Sequence, residues 1–183
     1  RKDGRILAGS TLEKIGFDRL VRKVETVSRQ FIEDRDWNDF DLAGFTVCLC
    51  QLTSSLYLMK QIKAASPDIV TLAGGSLLAA STVRDMLNAF AQIDAAVVGE
   101  GEKPLAAVVG KLAGHAPLEK IASTTGVVTR NSDETANTFS QLSDLDQLPQ
   151  PDYQDYFDLL ATFAPEKKFF PSLHAEISRG CWH

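Results

Sequence analysis

Apolar residues recur along this chain in two rhythms. Phe17, Leu20, Val21, Val24, Val27 and Phe31 return every three or four positions, which places them on one stripe of an α-helix. Ser10-Thr-Leu-Glu13, just ahead, has the spacing of a capping box, in which the serine accepts from the backbone N–H at the glutamate. The pattern predicts a helix that starts there, ends near Asp34 and has Gly16 as a break point. Beyond it the rhythm changes to short unbroken apolar runs, the mark of strands buried on both faces.

Three such runs organise the middle of the chain. Leu42-Ala-Gly-Phe-Thr-Val-Cys-Leu-Cys50 is rich in strand formers. Asp68-Ile-Val-Thr-Leu-Ala-Gly-Gly-Ser76 reads as a central strand over 69–73, stopped by two glycines, and Ala95-Ala-Val-Val98 is the third. Helical patterns separate them. Thr53 or Ser54 is expected to cap a helix with Leu56, Met59 and Ile62 on its packing face, ended by Pro67. Ser81 or Thr82 is expected to cap the next, with Val83, Met86, Leu87 and Phe90. Leu105, Val108, Val109 and Leu112 form the stripe of a third helix. Strand alternating with helix predicts an α/β fold, a three-layer doubly wound parallel sheet with right-handed crossovers over 41–148, one face of which the helical segment 1–40 should cover.

After His115 the pattern loosens. Gly126-Val-Val-Thr-Arg130 reads as a further strand followed by a turn. Pro149 and Pro151 open a linker over 149–172, in which Tyr153, Tyr156, Phe157 and Leu159 suggest a short helix. Leu173-His-Ala-Glu-Ile-Ser178 alternates and reads as the first strand of a further unit, 173–183. Both ends read as cuts from a longer protein.

Composition narrows the classes. Hydrophobic residues make up 44% and charged residues 23%, ordinary values for a globular domain. A net charge of -5 without any cluster of Lys and Arg argues against nucleic-acid binding. No apolar stretch approaches a membrane span and no signal core opens the chain, so a cytoplasmic protein is expected. The three cysteines, Cys48, Cys50 and Cys181, make no disulfide framework. Cys48 and Cys50, on one face of a strand, are read as buried reduced thiols in preference to a chelating pair. Glu100 and Glu102 fit first-turn acids favoured by a helix dipole better than an acid–base pair. Gly74 and Gly75 suit either a turn needing positive φ or the approach of a ligand to backbone at a strand end.

Glu176-Ile-Ser-Arg-Gly-Cys-Trp182 is the most specific string. It resembles the entry to the radical S-adenosylmethionine enzymes, where a strand ending in Ser-Arg-Gly-Cys delivers the first cysteine of a C-x3-C-x2-C cluster loop. Upstream stand Gly44-Phe-Thr46, then Gly74-Gly75, then Val97-Val-Gly-Glu-Gly-Glu102, then a proline-marked linker. In that order, nearly the whole chain resembles the cobalamin-binding class of the superfamily, and within it the group that matures ribosomally made, modified peptides.

The resemblance implies a cobalamin-binding, Rossmann-like sheet followed by the start of a radical S-adenosylmethionine barrel. Cobalamin would lie over the carboxyl edge of the sheet, its nucleotide tail in a slot of small and polar residues. The matching positions are Thr46, Gln51, Thr53 and Ser54, then Gly74, Gly75 and Ser76, then Gly99, Glu100, Gly101 and Glu102. Cys181 would be the first ligand of a 4Fe–4S cluster whose open iron holds S-adenosylmethionine. The implied reaction is methylation or another modification of an unactivated carbon in a peptide substrate.

The sequence departs from the family in two places. The Asp-x-His-x-x-Gly motif that gives cobalt a histidine in other branches is absent, and the three histidines, His115, His174 and His183, stand in other contexts. His183 takes the second position after Cys181, and the other two cluster cysteines do not occur in this sequence. This stretch alone is therefore expected to be catalytically silent and free of a cluster. Phe169, Phe170 and Leu173, which the barrel would cover, are expected to promote self-association. The reading from another class is a degenerate sheet module that holds no cofactor and recognises a substrate or partner protein.

Overall fold

The computed structural model describes residues 16–132, 139–163, 171–173, 176 and 179. The Ser10–Glu13 box, Phe169, Phe170, His174, Cys181, His183 and most of the 173–178 run lie outside the described residues. The chain divides into two compact units, Arg1–Gln141 and Leu142–His183.

The first unit opens with helix α1 (Phe17–Glu33), which begins where Gly16, at φ 75°, breaks the chain. There follow β1 (Leu42–Thr46), α2 (Leu52–Ala65), β2 (Val70–Gly74), α3 (Val83–Ala89), β3 (Ala95–Val97), α4 (Glu102–Ala113), α5 (Leu118–Ile121) and β4 (Val127–Thr129). The sheet order is β1-β2-β3-β4. β1, β2 and β3 run parallel, with Thr46 beside Gly74 and Leu72 beside Ala95, while β4 returns antiparallel along β3. The fold is thus α/β with a mostly parallel open sheet. Its parallel strands fall inside the three apolar runs of the sequence.

Alternation along the strands sorts two cores. Ala73, Ala96 and Val128 face α2 and α3, packing with Met59, Val83 and Leu87. Leu72, Ala95, Val97 and Val127 face the other way, onto Val108 of α4 and Ile121 of α5. Helices therefore lie on both faces, which is why the strands read as continuous apolar runs. A third cluster, Ala43, Ile62 and Ile69, meets Ile32 at the end of α1.

Polar groups tie the strand starts. Asp94, just before β3, accepts from Thr71 N of β2 (2.8 Å) and pairs with Lys63 Nζ at the end of α2 (2.6 Å). Lys63 also donates to Ile69 O (2.8 Å), and the Thr71 hydroxyl donates to Gln92 O (2.6 Å). On the far edge, Arg130 donates to Leu87 O in the last turn of α3 and to Phe90 O and Ile93 O just beyond it.

Four local expectations need correction. The first strand stops at Thr46, so Cys48 and Cys50 stand beyond it, Cys48 half-buried and Cys50 exposed. Neither Thr53 nor Ser54 caps α2: Gln51 holds the cap position and Ser54 Oγ donates back to Gln51 O (2.9 Å). In α4 only Val108 of the four stripe residues is fully buried, and Leu105 and Val109 are exposed. The α1 stripe does not cover the sheet, because α1 turns that stripe to solvent.

In the second unit Asp144 caps a 3-10 turn at Leu145–Gln147, and helix α6 (Gln154–Ala161) carries Tyr156 edge-on to Phe157 at 5.3 Å.

Asp94→Ala removes the acceptor for Thr71 N and the counter-ion of Lys63 together. It is expected to cost about 2–4 kcal/mol in urea unfolding, whereas Lys63→Met, which keeps the aliphatic stem, costs about 1–2.

Candidate functional site at the carboxyl edge of the sheet

Because β1, β2 and β3 are parallel, the loops leaving them emerge along one edge, where open α/β sheets take ligands. All eleven residues expected at the cobalamin site lie on these three loops or at the adjoining ends of β1, β2, α2 and α4. The structure brings them to one edge.

The loop after β1 is held by its own caps. Val47 N donates to Gly74 O (2.6 Å) as the last link to β2. Cys48 N donates to Gln51 Oε1 (3.2 Å), and Gln51 N to Cys48 O (2.9 Å), which folds Leu49–Gln51 into a 3-10 turn running into α2. The Gln51 amide oxygen is thus engaged by the backbone, while Thr46, Thr53 and Ser54 are exposed.

The loop after β2 closes on the first. Gly75 sits at φ 109°, and a Cβ there would stand 2.7 Å from Val47 O and 2.8 Å from Val47 N. Leu77 N donates to Val47 O (3.3 Å), and Ser76 Oγ lies 3.7 Å from Cys48 Sγ. Gly75 is glycine for two reasons internal to the fold: its φ, and the backbone passing over it.

The loop after β3 repeats the arrangement. Gly99 has φ 87°, and a Cβ would collide with Ser140 O and stand 2.9 Å from Ser140 N. Glu100 N donates to Ser140 O (2.7 Å), and Ser140 N to Val98 O (3.2 Å). Gly101 takes the cap position of α4, and Glu102 is the acid of its first turn, where the helix dipole favours it.

Gly44, Thr46 and Gly74 differ from these. They project to the face that α4 and α5 cover over β3 and β4, and over β1 that cover ends. A Cβ on Gly44 would meet nothing within 4 Å, and one on Gly74 only Val97 Cβ at 3.8 Å. With Thr46 exposed beside Gly74, this corner is a shelf of small residues open to solvent.

No reversal of strand order occurs among the described strands, so the crevice of a topological switch point is absent from them. His115, the one described histidine, stands at the opposite edge, where it lines a cleft of about 660 Å³ with Asn38, Asp41, Lys63, Asp68 and Asp94. Sequence reasoning passed over this cleft. Its signal was an aspartate at the entry to each parallel strand, Asp41, Asp68 and Asp94.

In the second unit, Glu176 and Arg179 of the Ser-Arg-Gly-Cys string form a two-pronged pair, with Arg179 Nε to Glu176 Oε1 and Arg179 Nη2 to Glu176 Oε2 both at 2.7 Å. The Arg179 hydrogen bonds hold the Glu176 carboxyl below its ordinary pKa. Cys181 lies outside the described residues, among which no group of three or more His, Cys, Asp or Glu is placed to hold a metal ion. Nor is any described helix long and apolar enough to cross a membrane. In comparison with known proteins, no family model and no curated protein matches the chain.

The two kinds of glycine separate by mutation. Gly75→Ala, forced to positive φ against Val47, is expected to lose about 2–4 kcal/mol of stability with no ligand present. Gly44→Ala, in a strand with open space, is expected to gain up to about 1 kcal/mol. Denaturant unfolding of both variants makes the comparison.

Proposed function

We propose that this chain is the cobalamin-binding, Rossmann-like part of a cobalamin-dependent radical S-adenosylmethionine enzyme that methylates or otherwise modifies a peptide. The observation that carries the reading is the convergence of three sequence-marked loops on one carboxyl edge beside the open shelf of Gly44, Thr46 and Gly74. These residues fit the group. Small residues beside an uncovered strand give a bulky nucleotide tail room, and Thr53, Ser54 and Ser76 are exposed hydroxyls suited to a corrin's amide rim.

Cobalamin, when bound, would supply the methyl group. The part of this chain is to bind and orient: the shelf would seat the tail, and the hydroxyls would fix the ring's position by hydrogen bonds. His115, the one described histidine, stands at the far edge, so among the described residues the hold would rest on shape and hydrogen bonding. Cys181 is assigned the first cluster position by its Ser-Arg-Gly-Cys context. A cytoplasmic location goes with this chemistry.

A second reading draws support from Gly75 and Gly99, whose lack of a side chain is accounted for by Val47 and Ser140 with no ligand needed. In that reading the sheet is a module for recognising a substrate or partner protein.

Titration of hydroxocobalamin into the protein carrying this chain together with its neighbouring domains, followed by absorbance and calorimetry, separates the two. The first reading expects saturable binding in the micromolar range, weakened at least about tenfold by Gly44→Phe, which fills the shelf. Absence of binding at about 200 µM removes that reading and leaves the recognition module.

A further inference from the structure

Helix α1 has no fully buried residue. Arg22, Glu25, Thr26 and Arg29 line a groove against Tyr57 of α2, and near its end α1 reaches the interior through Ile32, which meets Ala43, Ile62 and Ile69. The opposite side carries Phe17, Leu20, Val21, Val24, Val27 and Phe31. All are exposed, Phe17 to 71%, Val24 to 56% and Val27 to 58%. An apolar stripe presented to water along most of a helix is unfavourable for an isolated copy.

The stripe has a particular spacing. Phe17, Leu20, Val24, Val27 and Phe31 alternate by three and four residues, the a and d positions of a heptad, with Val21 flanking them at an e position, a seam suited to packing against another helix. At its end the aromatic row continues through Phe31, Trp37 and Phe40, whose rings follow at 5.9 Å each. Trp37 is fixed by its indole N–H to Ile32 O (2.9 Å).

We propose that this seam is a self-association surface on which α1 of a second copy packs against α1 in a two-fold dimer. The six stripe residues and Phe40 expose roughly 500–600 Å² of side chain, beyond what scattered surface residues present. Two copies together would bury about 1,000 Å² or slightly more, the lower bound of a specific interface, which sets the expectation at a micromolar dimer. A second copy supplies the same heptad seam to both partners at once, as a two-fold contact requires. The inference stands apart from the cobalamin reading, since α1 carries none of the carboxyl-edge residues.

Sedimentation velocity of the chain over about 1–200 µM tests it. The wild-type chain is expected to pass from monomer to dimer in that range. Val24→Glu, at an exposed position in the middle of the seam, is expected to weaken the dimer at least tenfold, with an unchanged far-UV circular dichroism spectrum. Phe17→Ser serves as a second variant at the most exposed stripe position. Leu173→Glu, in the other apolar surface, is expected to leave the dimer intact. A wild-type chain that stays monomeric throughout overturns the proposal, and so does a dimer that survives Val24→Glu and dissociates with Leu173→Glu.

Discussion

The sheet depends on one carboxylate. Asp94 stands where β3 begins and is shared by the Thr71 N–H of β2 and the Lys63 ammonium in the last turn of α2, so three elements distant in sequence meet on its Oδ2. Short strands need such a point. β3 has three residues and offers few ladder bonds of its own, so its register against β2 would be weakly specified without an anchor at its start. The Lys63 ammonium satisfies the charge, and the carbonyl of Ile69 takes another of its protons, which leaves the pair hydrogen-bonded at a partly buried position.

Fixing the amino ends makes the carboxyl ends free to diverge into loops. The loops are nevertheless constrained, because two of them close over backbone: the second over Val47, the third over Ser140. Each closure uses a glycine at positive φ and leaves a compact edge with its polar side chains outward. What remains open is the corner above Gly44, Thr46 and Gly74, and it is open because α4 and α5 are placed over β3 and β4 and do not extend across β1. The shelf is thus a consequence of helix placement, and its small residues leave the backbone there uncovered.

Helix α1 follows a different logic from α2 and α3. Those two turn their apolar faces to the sheet, as amphipathic helices do when a core is available. The face over β1 and β2 is filled by α2, and α1 meets the core only through Ile32 at its margin. The stripe is left exposed.

The sequence by itself determined the elements. Unbroken apolar runs fixed three parallel strands, three- and four-residue spacing fixed the helices, and Gly16 and Pro67 marked an end of each of two of them, because these signals act within a few residues and need no tertiary partner. The order of the loop motifs along the chain, joined to parallel pairing, was enough to bring the candidate residues to one edge. Three matters were decided only by the tertiary structure. Whether the α1 stripe is covered depends on what already packs over the sheet face, and periodicity is blind to that. Whether a glycine is needed for a ligand or for a passing backbone depends on Val47 and Ser140, one 28 residues before Gly75 and the other 41 after Gly99. The length of β1 depends on how far β2 can pair with it, so a run of strand formers that continued to Cys50 was cut at Thr46, where Gly75 turns away and the ladder ends.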